Sequence, residues 1–63
     1  MRHEDREAII QNIVDESNLE LKEAGRQRVL TEWRAKLGQE PTHLSPQKID
    51  EIVREVRHRL GKD

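Results

Sequence analysis

The chain lacks several residue types on which small proteins commonly rely for stability. Its 63 residues include no cysteine, phenylalanine or tyrosine, Trp33 is the single aromatic side chain, and hydrophobic residues make up 32% of the chain. The absence of cysteine excludes disulfides and any zinc site built on thiolates. A domain this short buries only about 60% of its unfolded surface, so aliphatic packing alone must form the core. We therefore expect self-association or a second protein to complete it.

Long apolar runs are also absent from the sequence. No signal peptide or membrane span is predicted, and we expect one cytoplasmic domain over residues 1–63 that does not enter a membrane. Charged residues are frequent but balanced, with 12 basic and 13 acidic side chains. Near-zero net charge combined with a clear apolar periodicity indicates a folded chain rather than a disordered one.

The stretch from Leu44 to Gly61 carries the clearest structural pattern in the sequence. Ser45 has the side chain of an N-cap, and Pro46 suits the first helical position, where its missing N–H is not needed. Gly61 is the residue type that commonly follows a helix. Helical spacing predicts one narrow apolar stripe along residues 45–60, made of Ile49, Ile52, Val53, Val56 and Leu60.

Two interpretations compete for the first half of the chain. A helix begins near His3 and carries Ile9, Ile10, Ile13 and Val14 on one face. If it continues, Ser17, Leu21 and Ala24 extend that face. If it breaks, the capping-box sequence from Ser17 to Glu20 begins a new helix.

The apolar residues of the following segment favour the break. Leu30, Trp33 and Leu37 would lie roughly opposite the Ile10 face if one straight helix carried both sets. We therefore predict two helices, over residues 3–16 and 18–37. Gly38 and Pro41 end the second of these, and the short link that follows suits two neighbouring helices.

The predicted fold is thus all-α, with short helices over 3–16, 18–37 and 45–60, the last two forming a helical hairpin. Self-association is expected to complete the core. The predicted core contains the apolar residues at helical spacing: Ile9, Ile10, Ile13, Val14, Leu30, Trp33, Leu37, Leu44, Ile49, Ile52, Val53, Val56 and Leu60.

Catalytic motifs are not apparent. The three glycines are isolated, so there is no glycine-rich phosphate loop, and both serines are better explained as helix caps than as nucleophiles. Glu55 and His58 have the Glu-x-x-His spacing of a metal-binding helix. On a helical wheel, however, both lie away from the apolar stripe and are expected to face solvent. We expect no enzyme activity, metal, cofactor or small-molecule substrate.

Charge is distributed unevenly along the chain. Up to Glu23 there are three basic and seven acidic residues, and from Ala24 onward nine basic and six acidic ones. An acidic N-terminal part and a basic C-terminal part favour a regulatory or interaction module. Such a module would pair with itself, as a homodimer, or with another protein. The predicted partner-binding residues, with tryptophan as either the anchor or merely the largest core residue, are Trp33, Arg54, Arg57 and His58.

Nucleic-acid binding is the alternative hypothesis. Arginine suits bidentate contacts with phosphates and base edges, and the last helix resembles a recognition helix in presenting polar side chains at its start. The slightly acidic chain and the interleaved carboxylates weigh against this function. The residues that would carry it are Arg26, Arg28, Arg34, Gln47, Lys48, Arg54, Arg57 and Arg59.

Overall fold

Three helices account for most of the computed structural model, which describes residues 3–40 and 42–61. They are α1 (His3–Asn18), α2 (Glu23–Gly38) and α3 (Pro46–Arg59). The described residues contain no strand, so the prediction of an all-α chain with three helices is confirmed. Each helix packs against both of the others, in a bundle measuring 30 × 19 × 18 Å.

Helix α3 forms as its sequence predicts. The Ser45 hydroxyl accepts a hydrogen bond from the Lys48 backbone N–H at 3.3 Å, and Pro46 occupies the first turn. After the helix, Gly61 adopts a φ of +74°, in the left-handed region that glycine enters without strain. The observed bounds differ from the predicted ones by a single residue at each end, within the usual uncertainty of helix termini.

Every apolar residue that the sequence predicts for the core is either buried in it or packed against it. Val14, Leu30 and Ile49 belong to a set of nine buried aliphatic side chains that come from all three helices. Four further predicted residues pack against this cluster while partly exposed: Ile9, Trp33, Leu44 and Leu60. The stripe on α3 is therefore covered within a single chain. Self-association is not needed to bury it and stays a prediction.

The boundary between α1 and α2 differs from the preferred sequence prediction. Helix α1 continues through Ser17 to Asn18, and α2 begins only at Glu23. The last turn of α1 closes with short-range hydrogen bonds, from the Leu19 N–H to the Glu16 carbonyl and from the Glu20 N–H to the Ser17 carbonyl, both at 3.1 Å. A linker of four residues, 19–22, therefore joins the first two helices.

The capping-box hypothesis for Ser17 and Glu20 is consequently wrong. Ser17 is fully buried in the last turn of α1, and its hydroxyl has no hydrogen-bond partner in the described part of the chain. The apolar stripe of α1 explains this placement, because Ser17 follows Ile10, Ile13 and Val14 at helical spacing and faces the same core. Burial of the stripe therefore prevailed over the local capping pattern.

Helix α2 begins without a side-chain cap. Lys22 precedes it in an extended conformation, and no side chain accepts a hydrogen bond from the first-turn amides at this N-cap. At the other end, Gly38 is the last helical residue rather than the residue after the helix, and the Leu44 N–H bonds to the Leu37 carbonyl at 2.9 Å. Pro41, predicted to prevent helical continuation, lies outside the described residues.

Candidate protein-interaction surface

Trp33, the predicted anchor, lies half-buried against the core. Its indole Nε1 donates a hydrogen bond to the Glu16 Oε2 atom of α1 at 2.7 Å. The Lys36 ammonium lies 4.4 Å from the ring centroid, a distance typical of a cation–π contact. Both the polar end and one face of the indole are thus engaged within the chain. These contacts favour the structural role that the sequence left open, and binding by Trp33 stays a prediction.

Arg59 belongs to the contact between α1 and α3. Its guanidinium donates to both carboxylate oxygens of Glu7, at 2.5 and 2.9 Å, and its Nε donates to Glu55 at 2.9 Å. Hydrogen bonding to Glu7, followed by that to Glu55, raises the pKa of Arg59 above its ordinary value. Arg59 therefore stays charged and holds two helices together, which leaves it poorly placed to contact a nucleic acid.

The other residues of the nucleic-acid hypothesis differ in the contacts that they make. Arg34 donates to Asp50 at 2.6 Å, Arg26 lies 3.5 Å from Glu23, and Lys48 lies 3.8 Å from Glu51. Gln47 is exposed in the first turn of α3. Arg28 lines a different concavity beside the α1–α2 linker. Arg26 and Arg57 line one small cavity between α2 and α3, so part of the predicted set shares a surface, whereas Arg28 lies elsewhere and Arg59 is bonded to α1.

A smaller arginine cluster remains between α2 and α3. Arg54 and Arg57 are exposed and form no ion pair with any described residue. Together with Arg34, Asp50 and Val53 they line an open concavity of about 230 Å³. His58, the last predicted partner-binding residue, is also exposed on α3.

The α1–α2 linker exposes a pair of leucines that the sequence did not single out as a site. Leu19 is 79% exposed and Leu21 is 92% exposed. A single exposed leucine is ordinary, whereas adjacent exposed apolar side chains on a small protein form a patch that needs an explanation. We call Leu19 and Leu21 the leucine patch.

Glu20 and Gly25 explain why both leucines face outward. Glu20, between them, is half-buried, whereas Leu19, Leu21 and Lys22 are all exposed. Its carboxylate lies over Gly25 so closely that a Cβ atom at position 25 would collide with it. The glycine thus makes room for Glu20, and an inward Glu20 leaves the leucine patch in solvent.

Two cations border the leucine patch. Lys22 and Arg28 line an open concavity of about 440 Å³ together with Leu21, Ala24 and Gly25, and Glu20 is the single acidic residue of this lining. Neither cation forms an ion pair with a described residue. We call Lys22 and Arg28 the basic rim. The surface therefore combines exposed apolar side chains with positive charges that are available to a partner.

The metal hypothesis gains nothing from the structure. Within residues 3–40 and 42–61 no three acidic or histidine side chains converge closely enough to hold a metal ion. The Glu55 carboxylate is instead bonded to Arg59. In the same residues, no helix has both the length and the apolar character needed to cross a bilayer.

The fold defines the chain as a small three-helix protein with an exposed leucine patch. Comparison with known proteins gives no matching family, no matching characterised protein and no matching solved structure. The surface chemistry of this chain is therefore the basis on which its function is proposed.

Proposed function

We propose that the protein is a non-enzymatic helical interaction module that docks onto another protein through the leucine patch. In this proposal α2 and α3 form a hairpin against which α1 packs. The Arg34–Asp50 bond supports that arrangement, and so does a small cavity lined both by Glu23 at the start of α2 and by Leu60 after the end of α3.

The exposure of the leucine patch carries the proposal. The chain has only six leucines. Leu19 and Leu21 lie in solvent, whereas the other four are buried in the core or packed against it: Leu30, Leu37, Leu44 and Leu60. Burying two leucine side chains against a partner would contribute about 3–6 kcal/mol before the costs of association. The patch therefore supplies part of the free energy of docking, and polar contacts around it must supply the rest.

Position-specific photo-cross-linking tests this function. A photoreactive side chain at Leu21 is expected to give an adduct of one defined mass in the cells that make the protein. The same group at Gln47, which is exposed in the first turn of α3, serves as the matched control and should not give that adduct. Adding Leu19→Ser to the Leu21 probe is expected to reduce the adduct strongly, because half of the apolar contact is lost.

Three results would count against docking at this surface. An identical adduct from both positions would show that the contact is unspecific. No adduct at Leu21 would remove the proposal. An adduct with the mass of two copies would replace the second protein by self-association.

Nucleic-acid binding is retained as a second candidate because Arg54 and Arg57 form no ion pair with a described residue. If this function is correct, random duplex DNA is retarded at low salt, and affinity falls as salt rises. The Arg54→Gln/Arg57→Gln variant should then lower the salt dependence by about two phosphate contacts. Arg28→Gln, on another surface, is the control. No retardation, or binding that is insensitive to salt, removes the candidate.

A further inference from the structure

The positive charge of the basic rim, beside the leucine patch, indicates the chemistry of the partner. We infer that the leucine patch binds an amphipathic segment of another protein whose apolar side chains are flanked by carboxylates. This inference rests on the proposed function and specifies the partner of that same surface.

A second copy of the chain fits the surface poorly. A two-fold dimer would place the same patch on both sides of the interface. The Lys22 and Arg28 side chains of one copy would then lie near those of its partner, where like charges repel. Symmetric pairing through this patch is therefore disfavoured.

The basic rim fits an acidic partner. Lys22 and Arg28 form no ion pair with a described residue, and the Glu20 carboxylate of the same concavity lies close over Gly25. An apolar segment with flanking Asp or Glu side chains would satisfy both cations and cover the leucines. The concavity is open to solvent, so a partner segment can reach both cations from the surface. Charge complementarity would also speed association and select the partner.

An anionic membrane is a less suitable occupant, although it also attracts cations. Interfacial anchors usually present a long apolar helix face, whereas this patch presents two side chains.

Selection from a random linear peptide library displayed on phage tests the inference on the full chain. Enriched peptides are expected to combine apolar residues with Asp or Glu, and to bind the Leu19→Ser/Leu21→Ser variant much more weakly. The Lys22→Glu/Arg28→Glu variant should bind them about tenfold more weakly, because two attractive contacts become repulsive. That variant should instead select peptides rich in Lys or Arg.

Control variants separate the failure of the partner chemistry from failure of the site. Arg6→Glu/Lys36→Glu changes net charge by the same amount at positions on α1 and α2 outside the patch, and it should leave peptide affinity unchanged. Enriched peptides without acidic residues, but dependent on the leucines, would overturn the acidic partner and leave the proposed function standing. Peptides that bind the leucine variant equally well, or no enrichment at all, would overturn both. Flotation with phosphatidylserine vesicles that is lost in the leucine variant would assign the patch to a membrane and overturn the inference.

Discussion

Leu37→Ala is expected to lower the free energy of unfolding by about 2–5 kcal/mol, whereas Leu21→Ala should change it by less than about 0.5 kcal/mol. The two substitutions remove the same atoms from opposite environments. Leu37 is 2% exposed among the core side chains, and Leu21 is 92% exposed. Removing a buried side chain forfeits its transfer free energy and leaves a cavity, while removing an exposed one does neither. Urea denaturation followed by circular dichroism measures both values.

The contrast between these variants also tests the exposure of the leucine patch in solution. If Leu21→Ala costs as much as Leu37→Ala, the linker leucine is buried in the folded protein and the proposed docking surface does not exist. If the cost of Leu21→Ala grows with protein concentration, a second copy covers the patch.

Ser17→Ala and Ser45→Ala are expected to change stability in opposite directions. The buried Ser17 hydroxyl has no hydrogen-bond partner among the described residues, so its removal should raise the free energy of unfolding by about 1 kcal/mol. Ser45 accepts the Lys48 N–H at the start of α3, so its removal should lower that free energy by about 1 kcal/mol. The same serine-to-alanine substitution is thus expected to raise the free energy of unfolding at position 17 and to lower it at position 45.

Thermal or urea denaturation of both serine variants provides the comparison. The Ser45→Asp variant is the control, because aspartate also caps a helix and should retain most of the stability. A clear loss of stability in Ser17→Ala would contradict the buried position and would restore the cap that the sequence pattern suggested.

Helix α3 and the core were predictable because their causes are local. The cap at Ser45, the proline at position 46 and the stripe from Ile49 to Leu60 all lie within one segment, and all favour the same helix. When local preference and apolar periodicity agree, the sequence is sufficient to predict the helix. The structure shows the cap and the glycine at position 61 in the predicted roles.

The end of α1 could not be predicted in the same way because two local patterns disagreed. The sequence from Ser17 to Glu20 matches a capping box, yet Ser17 also continues the apolar stripe of α1. The decision depends on what packs against that stripe, and the packing comes from α2 and α3. A four-residue linker results, and both of its leucines are exposed.

The candidate site was missed for a related reason. Side-chain chemistry favours Trp33 and the arginines as binding residues, but contacts between residues distant in sequence determine which of them are available. Glu16 engages Trp33, and Glu7 engages Arg59, across separations that no local pattern encodes. No sequence pattern indicated that Leu19 and Leu21 would be exposed, because their exposure depends on where α1 ends and on how the helices pack.

Leucine methyl groups offer the most direct test of a self-contained bundle with an exposed docking patch. With only six leucines, ¹³C-methyl spectra of the full chain can be assigned by single substitutions. A soluble paramagnetic agent should strongly attenuate the methyl signals of Leu19 and Leu21, while those of Leu30 and Leu37 stay protected. Equal protection of the linker and core methyls would contradict the exposed patch, and with it the proposed function.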